Sequence, residues 1–394
     1  MATLEIEETV LARIRGSLEK GRANARSVAA LTDNPGCTRR RVLDAASVKS
    51  YELAEALGYP VTRGQSPFAI TTGKRFEDRL KERSSYKLLV DVLQPYVQLP
   101  AEGLVVVDLD RDVKGRGTAR LDERARRTDE VLAKVARGDT DAPHVVDHPV
   151  LVFDLAGTNV YLEPDALAFR VGKNLELVEV KSYAVIDGQA DPSKLAATAG
   201  QSAVYVIALR ATLARLGFDP QLVAPSVILV APRNFGRTPV AHRVPLQKKI
   251  VALQRVLRAV PNTSIVVKDL PKDFTLDVDP AQRMADKERR AVLEATVRRL
   301  PMLYVPECLS ACDMARFCRE QAIVDDDPSR LGRSVRDSLA GVHRLADALR
   351  LATAGAKEDE PHLGPVAEAL QGGHRALARA RQAAGLSSSK GTRR

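Results

Sequence analysis

Residues 159–181, NVYLEPDALAFRVGKNLELVEVK, contain two strand-like runs that are joined by a tight turn. The runs are Asn159–Arg170 and Leu175–Val180, and Gly172 and Asn174 mark the turn between them, which predicts an antiparallel hairpin. A further strand is predicted before the hairpin, at Val150–Leu155. After the hairpin the sequence predicts a helix at 192–216 and a short apolar strand at Ser226–Ala231. This order predicts an α/β fold, a mixed β-sheet core flanked by helices.

Three charged side chains stand at the ends of these runs. Because side chains alternate between the two faces of a strand, Glu179 and Lys181 point to one face, and the hairpin brings Asp165 beside them. Two carboxylates and an ammonium at one sheet end would hold a divalent cation, and oxygen ligands suit Mg²⁺ or Mn²⁺. Such a cation neutralises charge that develops on a phosphodiester, while the lysine orients or deprotonates the attacking water. Taken alone, a Glu-x-Lys pair at a strand end is more often a solvated ion pair.

Two further elements carry candidate site residues. Gln201 and Tyr205 are four residues apart in the predicted helix and hence share a face, from which both could reach the site. Glu77, in a helix that begins behind Gly73, would supply another carboxylate. Each of these residues alone is ordinary helix surface, and their common order along the chain is what favours a nuclease.

In that order the residues resemble the motifs of the RecB-like PD-(D/E)xK nucleases, which are here Gly73-x-x-Phe76-Glu77, Pro164-Asp165, Glu179-x-Lys181 and Gln201-x-x-x-Tyr205. The resemblance covers roughly residues 70–235 and implies a restriction-endonuclease-like core. It implies that Asp165 and Glu179 are metal ligands, that Lys181 is the catalytic lysine, and that Glu77 assists at the metal. It also implies that Gln201 and Tyr205 position the substrate. The family usually carries glycine three residues before the aspartate, where this chain has Leu162.

Three of the four cysteines cluster near the C-terminal side of the chain. Cys308, Cys312 and Cys318 lie within eleven residues, while Cys37 lies far upstream. Four thiolates select an iron–sulfur cluster or Zn²⁺. The arrangement resembles the four-cysteine branch of RecB-type nucleases, which includes the CRISPR-associated exonucleases and the nuclease domain of AddB, and it implies a 4Fe-4S cluster that joins the two chain ends. The usual spacing is C-x2-C-x5-C and this chain has C-x3-C-x5-C, so zinc stays open, and buried free thiols are a third interpretation.

The charge balance favours a polyanionic partner. Lys and Arg number 60 against 50 Asp and Glu, and the net charge of +10 points to nucleic acid first. Arg39, Arg40 and Arg41, directly after Cys37, are candidates for contacts with phosphates. No apolar run approaches the ~20 residues of a membrane helix and no signal-peptide core opens the chain, which predicts a cytoplasmic protein with no membrane partner. The G-x4-G-K-[ST] motif is missing, which excludes a helicase motor within this sequence.

The sequence predicts four segments. Residues 1–69 form a helical N-terminal segment with the first cysteine, and residues 70–270 form the nuclease core, with a charged helical insertion at about 110–142. Residues 271–326 hold a helix and the three clustered cysteines. Residues 327–394 are an Ala/Arg-rich helical segment that ends in a basic tail.

The resemblance implies a divalent-metal-dependent DNA nuclease that processes DNA ends in defence against foreign DNA or in repair. Exonuclease action is expected and endonuclease action stays open. DNA is the expected partner, together with a separate helicase or defence-system subunit. Two other classes remain open, a non-catalytic DNA-binding subunit and a scaffold stapled by an iron–sulfur or zinc site.

Overall fold

A computed structural model of the protein describes residues 2–383, apart from positions 22, 61–66, 82–84, 101–102, 156–157, 170–173, 235, 237, 260–266, 269, 280, 307 and 340. The predicted turn near Gly172 and the predicted basic tail lie outside the described residues.

The centre of the fold is a six-stranded mixed sheet. The strands of the chain are β1 (Val106–Asp108), β2 (Val145–Asp147), β3 (Leu151–Leu155), β4 (Thr158–Leu162), β5 (Ala166–Phe169), β6 (Leu175–Val180), β7 (Val223–Pro232) and β8 (Pro239–Pro245). The main sheet has the order β1-β2-β5-β6-β7-β8, and β3 and β4 form a separate hairpin. The pairs β1–β2 and β6–β7 are parallel, and the other neighbours are antiparallel. This is the mixed α/β architecture that the sequence predicts, and it is consistent with a restriction-endonuclease-like core.

Helices surround the sheet and make up the first and the last of the described elements. Those before the hairpin are α1 (Ala2–Arg15), α2 (Ala25–Asp33), α3 (Thr38–Ala45), α4 (Ser50–Ala56), α5 (Pro67–Lys81), α6 (Lys87–Val97), α7 (Leu109–Asp112) and α8 (Gly117–Arg137). Those after it are α9 (Pro192–Arg215), α10 (Gln247–Ala259), α11 (Asp286–Arg298), α12 (Cys308–Ala311), α13 (Ala315–Asp325), α14 (Arg333–Ser338), α15 (Leu345–Ala354) and α16 (Gly364–Ala383). Among the described residues, no helix is long and apolar enough to cross a membrane.

The alternation of side chains along each strand gives the sheet two buried faces. Leu167 and Leu177 pack into the core that holds α9, whereas Ala166 and Val178 pack into the core that holds α5 and α6. A strand that is buried on both faces needs a nearly continuous apolar sequence, and β5 is buried at all four positions. The sheet is therefore a middle layer between two layers of helices.

The predicted run Asn159–Arg170 is divided between two sheets. Its first half pairs with β3 in the small hairpin, and its second half pairs with β2 and β6 in the main sheet. Pro164 stands at the break, where a residue without a backbone N–H cannot continue a hydrogen-bonded ladder. The break places Asp165 immediately before β5, at an end of the main sheet.

The N-terminal helices and residues 274–322 share a second hydrophobic core. Ile14 and Leu43 of the N-terminal helices pack with Phe274 and Phe317. A backbone hydrogen bond also links the two segments, because the Arg39 N–H donates to the Pro301 carbonyl at 2.8 Å. Farther along, α15 and α16 pack on each other around a small core of their own.

The charged stretch at 110–142 contains a helix with one buried side. In α8, Arg124, Thr128, Leu132 and Val135 are buried, and the two aliphatic side chains join the core beneath α9. The sequence predicts a charged helical insertion here but not its buried side, because the buried positions are few among many charges. Their spacing of three to four residues was the available signal.

Candidate functional site

The strand register brings Asp165, Glu179 and Lys181 together. Ala166 pairs with Val178 across the antiparallel β5–β6 ladder, so Asp165 stands opposite Glu179. Lys181 Nζ lies 2.6 Å from Glu179 Oε2 and 3.9 Å from Asp165 Oδ2. The Val180 N–H donates to Asp165 Oδ2 at 2.7 Å, which fixes the aspartate against the next strand. Two carboxylates and one ammonium thus converge at one sheet end, on the face covered by α9.

The electrostatics of this group follow from its burial. The Glu179 side chain is completely buried, and burial, followed by the nearby Asp165 carboxylate, raises the pKa of Glu179 to about 7. Burial also raises the pKa of Asp165, although Lys181 and the Val180 N–H act in the opposite direction. Burial alone would lower the pKa of Lys181, but the two carboxylates raise it, so the side chain is an ammonium. The carboxylates therefore need a nearby cation to stay ionised together.

Gln201 and Tyr205 contact each other and the strand break. Gln201 Nε2 donates to the Tyr205 hydroxyl at 3.0 Å, and that hydroxyl donates to the Glu163 carbonyl at 3.0 Å. Tyr205 is buried. The pair therefore reaches the backbone two residues before Asp165.

Glu77 lies in a neighbouring polar cluster, on the α5 side of the sheet. Its carboxylate is 2.5 Å from Lys81 Nζ and 3.5 Å from His148 Nε2. Lys81 is also 2.9 Å from Asp147 Oδ1. The hydrogen bond from His148 and the contact with Lys81, against an opposing effect of burial, lower the pKa of Glu77 to about 2. The charges of both Glu77 and Lys81 reach Asp165 electrostatically, so the two clusters adjoin.

Three residues of this second cluster present ligand atoms that could bind a divalent metal. Asp108, Asp147 and His148 each offer one atom, and these atoms lie within 4.8 Å of one another. Tyr86 donates to Asp147 Oδ2 at 2.7 Å. Although burial alone would lower it, the carboxylates of Asp147 and Glu77 raise the pKa of His148 to about 10.

Sequence reasoning did not assemble this cluster. It considered that His144 and His148 could approach a metal but favoured surface histidines, and it named neither Asp108 nor Asp147 as a ligand. The strand β2 is only three residues long, and His148, directly behind it, resembles a surface histidine in a polar loop. The available signal was the pair Asp147-His148 at the end of a short Val-Val run, since polar groups at strand ends often converge.

Arg124 ties the two clusters together. This arginine of α8 is buried, and it donates to Glu163 Oε2 at 2.6 Å and to the His148 carbonyl at 2.7 Å. The His148 N–H in turn donates to the Asp165 carbonyl at 3.1 Å. One guanidinium therefore holds both loops that carry the acidic residues.

The glycine of the Gly73-x-x-Phe-Glu77 stretch permits a close helix contact. A Cβ on Gly73 would lie 3.3 Å from the side chain of Ser182, the residue after Lys181. The absence of a side chain therefore lets α5 approach the end of β6, which positions Glu77 and Lys81 near the site.

The four cysteines line one common cavity. Cys37 precedes α3, Cys308 and Cys312 stand at the two ends of α12, and Cys318 lies on α13. All four border the same cavity, together with Asn34, Arg40 and several apolar residues. Burial raises the pKa of Cys312 and raises that of Cys318 to about 12, while Arg40 and Arg39 respectively oppose these shifts.

Polar donors point at two of the sulfurs. Asn34 Nδ2 is 3.3 Å from Cys308 Sγ, and Arg39 Nη1 is 3.1 Å from Cys318 Sγ. Arg39 is 1% exposed, so it lies out of reach of a phosphate on the surface. The expectation that Arg39 contacts phosphates is therefore wrong, because this side chain points into the cysteine-lined core.

Comparisons with known proteins add little to this geometry. No protein-family model matches the sequence, and no curated protein matches it. Among solved structures, the chain is similar to the crystal structure of a "putative exonuclease" from Eubacterium rectale. The two are 12% identical with a TM-score of 0.29, over 68% of this chain and 86% of that one. A likeness of this size carries no argument about function.

Proposed function

We propose that the chain is a divalent-metal-dependent DNA nuclease that hydrolyses phosphodiester bonds. The convergence of Asp165, Glu179 and Lys181 at one sheet end carries this proposal. A hydrolytic site for phosphodiesters needs groups that hold a hard cation and a cationic side chain beside it, and this arrangement offers both. The net charge of +10 supports nucleic acid as the substrate.

The donor atoms fit a small divalent cation. Glu179 Oε1 is buried and, among the described residues, has no hydrogen-bond partner, so this oxygen is available as a ligand. Asp165 and Glu179 would hold the cation, and carboxylate oxygens suit Mg²⁺ or Mn²⁺. When bound, the cation supplies Lewis-acid stabilisation of the charge that develops on the phosphate.

The other residues position groups around that cation. Lys181, as an ammonium, is placed to donate to a phosphate oxygen or to orient the attacking water. Tyr205 bonds to the backbone carbonyl of Glu163, and Arg124 bonds to its side chain. Together they fix the loop that carries Asp165. Glu77 acts from the adjoining cluster through the electrostatic field at Asp165.

The cysteine-lined cavity supports a metal–thiolate group, which we propose to be a 4Fe-4S cluster, with Zn²⁺ as the alternative. Four sulfurs that border one cavity supply the four ligands that either group needs. The spacing of the cysteines resembles the iron–sulfur branch more than the two paired knuckles of a structural zinc site.

The sequence motifs and the cavity together support a place in the four-cysteine branch of the RecB-like nucleases. On that basis we propose exonuclease action on DNA ends, in defence against foreign DNA or in repair. A separate helicase or defence-system subunit stays a prediction.

The test is degradation of linear, circular and single-stranded DNA by anaerobically purified protein, with Mn²⁺, with Mg²⁺ and with neither. We expect cation-dependent cleavage that Lys181→Ala lowers by roughly 10²-fold or more, because the variant loses a positioned cationic donor. Lys134→Ala is the matched control, since Lys134 is half-exposed on α8 and pairs only with Asp141 among the described residues.

Equal cleavage by Lys181→Ala and the parent protein would overturn the site assignment. If the parent protein cleaves none of the DNAs, the nuclease proposal is overturned and the two non-catalytic alternatives remain. DNA binding would then indicate a binding subunit, and a metal-loaded protein that binds no DNA would indicate a scaffold.

A further inference from the structure

Arg39 is a buried charge with an unusual set of partners. Its side chain is 1% exposed, and Nη2 donates to the Leu300 carbonyl at 3.0 Å and to Gln321 Oε1 at 2.8 Å. Nη1 donates to Cys318 Sγ at 3.1 Å, and the guanidinium lies 5.3 Å from the centre of the Phe317 ring. Within the described part of the chain, no carboxylate lies within ion-pair distance of Arg39. The cation is therefore surrounded by neutral acceptors and one sulfur.

Such burial is costly unless an anion is near. A guanidinium carries a permanent positive charge, and a buried charge without a counter-charge destabilises the folded protein. Gln321 links Arg39 to Asp325, but that carboxylate is itself paired with Arg298 and Arg330. The remaining partner that could carry negative charge is Cys318. Its sulfur is neutral as a thiol and anionic as a metal-bound thiolate.

The two polar residues that border the cavity besides the cysteines, Asn34 and Arg40, also carry N–H donors. Asn34 donates to Cys308, and the charge of Arg40 acts at Cys312, where the Asp44 carboxylate that pairs with Arg40 at 2.6 Å acts more weakly in the opposite direction. The polar groups described at the sulfurs are thus N–H donors. Donors of this kind suit thiolates that carry the negative charge of a metal–thiolate group.

We infer that Arg39 is the built-in counter-charge of an anionic metal–thiolate group held by Cys37, Cys308, Cys312 and Cys318. Arg39 is a positioning residue that acts through the Cys318 sulfur. The inference rests on the proposed metal at the four cysteines and is independent of nuclease activity.

A cycle of four melting temperatures tests it, with the parent protein and Arg39→Met each measured metal-loaded and after chelation. Methionine keeps much of the apolar volume and removes the charge. We expect metal-loaded Arg39→Met to melt below the metal-loaded parent protein, and chelated Arg39→Met to melt above the chelated parent protein. The reason is that the arginine stabilises the fold beside an anionic thiolate and destabilises it beside a neutral thiol. A side chain needed merely for packing would lower the melting temperature in both states.

Metal retention gives a second readout. Arg39→Met should release its metal to a chelator roughly 10–100-fold faster, as is typical when a group that supports a metal ligand is lost. Arg39→Lys, which keeps the charge, should restore most of the retention. Arg319→Met is the matched control, because Arg319 lies next to Cys318 on α13 and its side chain is exposed.

The outcomes separate the inference from the proposals beneath it. Unchanged retention in Arg39→Met, or equal losses in Arg39→Lys and Arg39→Met, would overturn the inference alone. A parent protein that holds neither iron nor zinc after anaerobic purification would overturn both the metal site and the inference. A metal-loaded protein that shows the inverted melting temperatures but cleaves no DNA would support the inference and count against the nuclease.

Discussion

The Tyr205 hydroxyl donates a hydrogen bond to the Glu163 carbonyl at 3.0 Å, and this contact joins α9 to the break between β4 and β5. Glu163 is two residues before Asp165, so the tyrosine controls the backbone that presents the aspartate. Gln201, one turn earlier, donates to the same hydroxyl and directs its proton toward the carbonyl. The helical pair therefore acts on the site through the loop.

Replacing Tyr205 by phenylalanine should loosen that loop. The variant keeps the ring but loses two hydrogen bonds, the one to the Glu163 carbonyl and the one from Gln201, so we expect about 2 kcal/mol of lost stability in chemical denaturation. Cleavage and Mn²⁺ affinity should fall more than this loss of stability explains, since the loop that carries Asp165 loses its contact with α9. Tyr51→Phe on α4, whose hydroxyl bonds to the adjacent Glu52, is the control. A Tyr205→Phe enzyme with parental cleavage would contradict the positioning role.

Arg124 makes a second test of loop positioning. Arg124→Met removes charged hydrogen bonds to Glu163 and to the His148 carbonyl, and we expect a loss of about 2 kcal/mol in the free energy of unfolding. Arg126→Gln on the same helix is the matched control, because Arg126 is 55% exposed and surface ion pairs contribute less than about 1 kcal/mol. Equal effects of the two substitutions would show that the buried guanidinium does not secure the loops.

Local patterns in the sequence were sufficient for part of this site. The alternation in β6 fixes Glu179 and Lys181 on one face, and the hairpin places Asp165 opposite them, so the central convergence could be predicted. The partner of Tyr205 could not be, because helical spacing specifies a shared face and says nothing about what the face contacts. The fold class was predictable for a similar reason, since it depends on the order of elements alone.

Non-local pairing explains the rest. The strands β1 and β2 are three residues each, too short for a periodic signal, and only pairing with β5 makes them part of the sheet. His148 belongs to the acidic cluster through that pairing. Likewise, the spacing of the cysteines suggests a metal, but the orientation of Arg39 depends on how the N-terminal helices pack against residues 300–321.

Proton competition should govern cation binding at Glu179. Burial and then Asp165 raise its pKa from 4.5 to about 7, so the protonated form contributes stability that is fully present below about 4.5 and lost as pH rises through about 7. A bound cation replaces that proton. We expect Mn²⁺ affinity to weaken by about tenfold per pH unit below pH 7.

Calorimetric titrations between pH 5.5 and 8 measure this affinity. The chelated parent protein should lose stability as the pH rises from 5 to 8, because Glu179 loses its proton. The chelated Glu179→Gln variant has no proton to lose at this position and should therefore lose less stability over the same range. A Mn²⁺ affinity that does not vary with pH would show that no proton is displaced at the site.

Cys312→Ser should remove the metal of the cysteine-lined cavity. Serine keeps the size of the side chain but supplies no soft ligand, so we expect loss of iron or zinc and a lower melting temperature. The chelated parent protein is the control, since it should melt near the variant, and chelator should not lower the melting temperature of the variant further. A variant with parental metal content would remove Cys312 from the ligand set.

His148→Asn tests whether Asp108, Asp147 and His148 bind a divalent cation. His148 has a φ of 51°, a left-handed conformation that asparagine adopts more readily than most residues, so the substitution preserves the backbone while the imidazole is lost. If the three residues hold a cation, Mn²⁺ binding and Mn²⁺-dependent cleavage should both weaken by at least about tenfold, comparable to other losses at metal sites. His242→Asn, at an exposed position of β8, is the control. Unchanged Mn²⁺ binding would assign the cluster to ion pairing with Lys81, whose ammonium already lies 2.9 Å from Asp147 Oδ1 and can neutralise these carboxylates without a metal.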